Sequence, residues 1–461
     1  MRRVAILKIV RPDYRRVLPM RKQLCCMILA MFAVAFAFVS CGGGGNNNNG
    51  GGQTVSVTGV SLNKNTMALT DGSSETLTQT ITPSNATNKG VTWTSSNDAI
   101  ASVSGGRVTG VAQGAATITV RTNDGGHTAT CAVTVIGSAT GTPDTSWYNS
   151  ASTTFTIYNA DQLAGLAALV NNGNTFSGKT IILGNNIDLS AYASGEGWTP
   201  IGNSSSITFA GDFNGDGKTI SNLTINGTSD YIGLFGYVRY GKIQNLGIVN
   251  ASINGGHNYG DVGGIAGWVS NSSITNCYST GAVSGGGSYA SVGGIAGQVS
   301  NSSITNCYST ATVSSSGDVG GIAGWVSNSS ITNCYSTGTV SGKLSVGGIA
   351  GIVTTSNSSI MGCAALNVTG SSNLHIGGRV VASIVDIEST LSNNIAWSGM
   401  LVNGVTVSGT AIDKNGADKT AAEIQNGSAF NGMFTDSVWT KQNGYLPGLF
   451  GQPVPIPAHI N

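Results

Sequence analysis

Between Val262 and Val368 the apolar residues come in short runs, each broken by Gly, Ser or Asn. Val262-Gly-Gly-Ile-Ala-Gly-Trp-Val269 is followed by Ile274-Thr-Asn-Cys-Tyr278 and then by the pair Ala282-Val283. The same phrase returns from Val292 to Thr310 with Gln298 in place of the Trp, again from Val319 to Thr337, and in decayed form from Val346 to Val368. The opening valines stand 30, 27 and 27 residues apart. A period of that size marks units that stack on their neighbours, as in solenoids and propellers. The units are dense in Gly, Ser, Thr and Val and lack a 3.6-residue apolar stripe, which excludes helical repeats. Three short strands per unit predict a right-handed parallel β-helix, with coils about 4.8 Å apart.

Stacking at that spacing would put Cys277, Cys307, Cys334 and Cys363 in one column and Asn245, Asn276, Asn306, Asn333 and Asn393 in the next. Side-chain amides in such a column can hydrogen-bond along the axis. Two aromatic columns follow as well, one through Trp268, Gln298 and Trp325 and one through Tyr278, Tyr308 and Tyr335. A coil rich in Gly and Ala has limited room inside for both. At least one column should therefore face outward, where flat rings suit sugars and extended protein surfaces. These five aromatic residues are the candidate ligand-binding residues, with packing over their neighbours as the alternative. The units resemble the GLUG motif, named for a Gly-Leu-Phe-Gly-like signature and found in bacterial surface proteins and in the non-catalytic part of some secreted peptidases. Gly233-Leu-Phe-Gly236 is the nearest match to the signature and Gly264-Ile-Ala-Gly267 its variant. The valine-equivalent positions extend to 232, 262, 292, 319, 346 and 376.

The flanks have other patterns. From Val55 to Val135 short alternating runs such as Val57–Leu62, Val91–Thr94 and Ala116–Val120 are separated by Gly, Asn and Pro turns, the pattern of a small β-sandwich. Trp93, Ile100–Val103, Gly106–Val111 and Gly114–Ile118 resemble the group 2 bacterial immunoglobulin-like domain. Cys131 has no partner there, so the domain rests on a packed core, expected around Trp93. The chain thus divides into 1–41 as a signal, 42–54 as a Gly/Asn tether, 55–136 as the immunoglobulin-like domain, 137–149 as a linker and 150–461 as the β-helix with terminal caps. One convincing helix opens the last part, capped by Asn159 with Gln162 three residues on, striped at Leu163, Leu166, Ala167 and Val170, and stopped at Gly173. It is placed to plug the open end of the solenoid. A second capping box, Thr420–Glu423, precedes an aromatic cluster of Phe430, Phe434, Trp439 and Tyr445, expected to be the C-terminal cap.

Charge narrows the partners. The 461 residues carry 68 Gly, only 9% charged residues and a net charge of +1. Eight of the 21 basic residues but one of the 20 acidic ones precede position 23, so the remainder carries 13 basic and 19 acidic groups, a net −6. Nothing there could track a phosphate backbone, which argues against nucleic acid. The N-terminal segment is basic through Lys22 and apolar from Leu24 to Val39, a targeting pattern too short for a membrane span. Phe38-Val-Ser-Cys41 resembles the lipobox of bacterial lipoproteins, with Phe38 where Leu is usual. The resemblance implies lipidation of Cys41, a membrane partner through that anchor, and, with Gly42 rather than Asp next, an outer-membrane or cell-surface location. A plain secretory signal or an anchor helix is the alternative, and Met20 to Cys41 alone has the length and charge of such a signal.

Candidates for chemistry are few. Between Tyr259 and Cys363 the charged residues are Asp261, Asp318 and Lys343. The two aspartates share a repeat position two coils apart, about 9–10 Å at strand spacing, near the upper end for the acid and base of an inverting glycosidase. They are expected to be turn residues before a strand, since no Arg or Lys accompanies them. Asp212-Phe-Asn-Gly-Asp216-Gly217 has the opening spacing of a calcium loop, but the twelfth position is Leu223, and a hairpin turn accounts for the same residues. His127, His257, His375 and His459 lie far apart and form no zinc-peptidase pattern. Neither a metal nor a cofactor is expected. Disulfides within the cysteine column are disfavoured because in-register cysteines have parallel Cβ vectors. The expectation is an all-β, non-catalytic surface lipoprotein that binds a glycan or a protein, with a polysaccharide-degrading enzyme or a structural spacer as alternatives.

Overall fold

The structure, a computed structural model, describes residues 54–354, 357–368, 376–385 and 388–460. The signal-like segment, Cys41 and His375 lie outside the described residues. From Val55 onward the chain forms one compact unit. Its first part is a β-sandwich. Thr66–Thr70, Thr128–Ile136, Gly114–Thr122 and Val91–Ser95 form one sheet, and Ser74–Thr76, Arg107–Gly110 and Ala101–Ser104 another. The alternation along Gly114–Thr122 and Thr128–Ile136 sends Ile118, Cys131, Val133 and Val135 inward, where they are fully buried. Trp93 is half-buried at the edge of this cluster, so the core centres on Ile118, Cys131 and Val108 rather than on the indole. Cys131 is free, and burial raises its pKa.

Residues 154 to 419 coil into a parallel β-helix that has four ladders per turn rather than three from Tyr231 to Ile384. The coil that begins the clearest repeat shows the order: Asp261–Gly263, Ala266–Ser270, Ser273–Thr275 and Tyr278–Gly285 contribute to the first, second, third and fourth ladders. The fourth strand carries both the Tyr run and the Ala-Val run of the repeat. Two distinct strands emerge from the first run because the Gly-Gly-Ile-Ala phrase is a corner. A Cβ on Gly263, Gly293 or Gly320 would lie about 2 Å from the carbonyl oxygen three residues on. Only glycine permits so close a fold of chain on chain.

The ladders run in register through the repeats, Ile274 against Ile304 against Ile331 and Val269 against Val299 against Val326, all fully buried. Cys277, Cys307, Cys334 and Cys363 form a buried column of free thiols, and the amide of Cys277 donates to Cys307 Sγ at 3.4 Å. The asparagine column forms through Asn306, whereas Gly362 stands between Asn333 and Asn393 and separates the last expected member. Asn276 donates to Asn245 at 3.0 Å, Asn306 to Asn276 at 3.3 Å, and Asn245 extends the ladder to Asn214. Each ladder asparagine from 245 to 333 sits at φ of 53 to 55°, a left-handed turn that Asn tolerates. One register departs from the sequence pattern: Ile376 pairs with Ser345, so Gly377 and not residue 376 is equivalent to Val346. Pairing of Val381 with Ala350 fixes that alignment from the far side of the corner.

Both ends are closed. Helix α1 (Ala160–Asn171) has the Asn159 side chain accepting from the Gln162 amide at 2.9 Å, and Leu163, Leu166, Ala167 and Val170 bury against the first coils beside Phe155 and Phe176. Asp161, buried in the first turn of the helix, accepts hydrogen bonds from Thr140, Gly141 and Tyr192, which ties the linker to the helix. At the other end Arg379 occupies the position of the second repeat glycine and is fully buried. Its guanidinium donates to the carbonyls of Asn415 and Gly416 and pairs with Asp418, ending the apolar stack with a hydrogen-bonded layer.

The tail departs from expectation. After α2 (Ala421–Gln425), residues 428 to 450 do not cover the end of the solenoid but fold back along its side. Phe434 and Trp439 pack on Tyr335, Trp439 on Tyr308 and Phe450 on Tyr278. Polar contacts pin this strap, with Asn306 donating to Asp436, Trp439 Nε1 to Asn306, and Tyr335 to the Pro447 carbonyl at 2.6 Å. No helix among the described residues is long and apolar enough to cross a membrane.

Candidate ligand-binding face

Both aromatic columns project outward from the coil, and the tail distinguishes them. Tyr278, Tyr308 and Tyr335 stack at 4.8 and 5.0 Å with rings nearly parallel. Tyr308 and Tyr335 are buried beneath the strap, and Tyr278 is half-buried. Burial raises the pKa of all three phenols. The tyrosine column is therefore an internal seam closed to a ligand, because the hydrophobic tail occupies it.

The second column is not covered by the tail: Trp268, Gln298 and Trp325 remain partly exposed, and Tyr237 at its start is buried. Tyr237, Trp268, Gln298, Trp325 and Ile352 are in register along the second ladder. Tyr237 stacks on Trp268 at 4.8 Å with an interplanar angle of 2°. Trp268 and Trp325 are half-buried, and Trp325 donates to the Thr354 hydroxyl at 3.2 Å. Beside it runs the outward column of the first ladder, through Tyr231, Asp261, Ser291, Asp318 and Ser345. Glycine brings the two together. A Cβ on Gly267, Gly297 or Gly324 would lie 2.6, 2.4 and 2.4 Å from a first-ladder backbone nitrogen of the preceding coil. At the first of these coils the Tyr231 ring accordingly sits 5.3 Å from Tyr237 and 5.6 Å from Trp268.

Asp261 and Asp318 are thus strand residues on this face, each 7% exposed, rather than turn residues. Burial pushes the Asp261 carboxyl up to about 8, with Ser291 hydrogen bonding pulling the other way and the nearby Asp230 charge adding to the rise. Burial raises Asp318 too, opposed by hydrogen bonds from Ser345. The turn leading into the first ladder carries two residues that pattern reasoning passed over. Tyr259 and Tyr289 are 66% and 62% exposed and stack at 5.2 Å. They sit in the three extra residues that make those units 30 rather than 27 long. Their equal offset before Asp261 and Ser291 was the available signal.

The other candidates are committed internally. Asp212 accepts from Gln244, Asn214 from Asn245 and the Asp216 amide, and Asp216 pairs with Lys218. His127 contacts the Val57 carbonyl, His257 pairs with Asp230, and His459 contacts the Leu366 carbonyl. Among the described residues no group of three His, Cys, Asp or Glu is placed to hold a metal. Between the second and third ladders a shallow groove passes Asn271, Asn301 and Asn328, where Ser272, Ser302 and Ser329 donate to carbonyls two residues back.

Comparison with known proteins agrees with this architecture. Residues 56–133 match the bacterial Ig-like domain (group 2), and residues 258–284, 288–314 and 315–341 each match the GLUG motif. The chain therefore joins a group 2 bacterial Ig-like domain to a GLUG-repeat β-solenoid. It is similar to the crystal structure of a candidate immunoglobulin A1 protease from Bacteroides ovatus, with a TM-score of 0.53 and 28% identity over 65% of this chain and 92% of that one. Among curated proteins, halomucin of Haloquadratum walsbyi is 38% identical over 31% of this chain and 2% of its own length. An Ig-like virion protein of Serratia phage KSP90 is 47% identical over 18% of this chain and 32% of its own. The chain thus spans less than a third of the length of these two curated relatives.

Proposed function

We propose that this protein is a non-catalytic, surface-exposed adhesin whose solenoid captures a ligand on the open face formed by Trp268, Gln298 and Trp325. The observation that carries the reading is that one outward aromatic column is covered by the chain's own tail while the other is left open. Flat rings repeated along an axis offer rigid contact area at low entropy cost. A binding role also accords with the scarcity of charge in the repeats, where Asp261 and Asp318 have no Lys or Arg beside them. The protease name attached to the structural relative belongs to that protein.

Position 298 supplies the test. Trp268→Gln and Trp325→Gln install the side chain that the coil between them already carries, so the double variant should keep its fold and lose ligand capture on glycan and protein arrays. Undiminished capture by a folded double variant would refute the assignment. The location belongs to the same proposal, with the chain tethered to the outer membrane or cell surface through lipid on Cys41. Labelled palmitate should enter the wild-type protein and not Cys41→Ala, and equal labelling of both would refute the anchor.

A further inference from the structure

Two polar atoms on this face are buried and make no hydrogen bond among the described residues: Asp318 Oδ1 and Trp268 Nε1. One is an acceptor and one a donor, and they belong to the adjoining outward columns of the first and second ladders. Buried groups of this kind are rare in native proteins and costly to leave unmet. Asp318 is 7% exposed, and its other contacts are to Ser345, the next residue of its own column. Between Tyr259 and Cys363 the one cation is Lys343, and among the described residues no cation acts on the Asp318 carboxyl.

We propose that the Asp261–Ser291–Asp318 column is the hydrogen-bonding floor of a site for an uncharged saccharide chain, with Trp268 and Trp325 as its stacking wall. The inference rests on the ligand-capture reading above and names the ligand class. A sugar ring matches the arrangement because it presents an apolar face to an indole and hydroxyls that both donate and accept at its edge. Asp318 Oδ1 accepts a hydrogen bond from a sugar hydroxyl, and Trp268 Nε1 donates to a hydroxyl or ring oxygen. An acidic saccharide is disfavoured because the Asp261–Ser291–Asp318 column contains no cation to neutralise its charge. The column repeats at the coil spacing of about 4.8 Å, so the chain lies along the solenoid axis and meets Asp261, Ser291 and Asp318 in succession.

Asp318→Ser reproduces the residue that Ser291 and Ser345 place at this position in the neighbouring coils, so the variant retains the repeat. The experiment measures binding of the full chain to immobilised mannan, xylan and β-glucan, to polygalacturonate and hyaluronate, and to fibronectin and collagen. The expected result is capture of at least one neutral glycan and of neither acidic one, with Asp318→Ser weakening capture about tenfold or more, as for loss of a charged hydrogen bond. Thermal melting of the variant checks that it is folded. Neutral-glycan capture that Trp268→Gln abolishes and Asp318→Ser leaves unchanged overturns this inference while the binding face stands. Capture of polygalacturonate as strong as that of mannan, or capture of fibronectin or collagen alone, also overturns it. Wild-type protein that captures nothing overturns the binding reading itself.

Discussion

Replacing Asp261 by Asn should flatten the pH dependence of stability. In the folded protein the Asp261 carboxyl is raised from 3.8 to about 8, chiefly by burial. Below pH 3.8 both folded and unfolded chains hold the proton, and the group contributes nothing. Between 3.8 and 8 the unfolded chain releases a proton that the folded chain retains, so rising pH favours unfolding. Above 8 both states are ionised and the penalty is constant. Linkage sets the slope at about 1.4 kcal/mol per pH unit. From pH 5 to pH 8 the wild-type protein should therefore lose about 4 kcal/mol relative to Asp261→Asn, whose amide can still accept from Ser291. Asp230, paired with His257, and Tyr231 are the titratable groups facing Asp261. They and Asp318 are present in both proteins, so only their coupling to Asp261 enters the difference. Urea unfolding of the two proteins, followed by tryptophan fluorescence at each pH unit from 5 to 8, reads the difference directly. Parallel stability profiles would refute the reasoning, because they would mean that Asp261 is ionised in the folded solenoid.

Trp439→Ala should release the strap from the tyrosine seam, at a cost of about 3–5 kcal/mol for a buried ring, and expose Tyr308 and Tyr335 to nitration. Unchanged nitration would show that the tail holds without the indole. Asn276→Ala removes one amide bond on each side of the ladder from a residue at φ 55° and should cost about 2–4 kcal/mol. Asn276→Gly restores the backbone tolerance alone, so its melting temperature should fall between those of wild type and Ala; equal losses would mean that the left-handed turn carries no strain.

The sequence by itself determined the stack. Identical residues one period apart must lie in one column once coils pair in register, so the cysteine, asparagine and aromatic columns were legible in the order of residues alone. The cap on α1 was equally legible, because Asn159 and Gln162 act within one turn. What lay beyond the sequence concerns which surface covers which. Phe434, Trp439 and Phe450 are apolar whether they cap an end or lie along a side, and only their packing on Tyr278, Tyr308 and Tyr335 decides that the tyrosine column is a seam. The fourth ladder was hidden because a Gly-Gly corner looks the same in sequence as a loop. Arg379 gave no local hint of burial, since its partners at 415, 416 and 418 reach it only through the last turn of the coil. Asp261 and Asp318 were visible as a repeated pair, yet burial and shifted titration come from neighbours in other coils and another ladder. Periodicity is a local property that a chain carries in its order of residues; solvent exclusion belongs to the assembled surface, and here the tail and the glycine corners decide it.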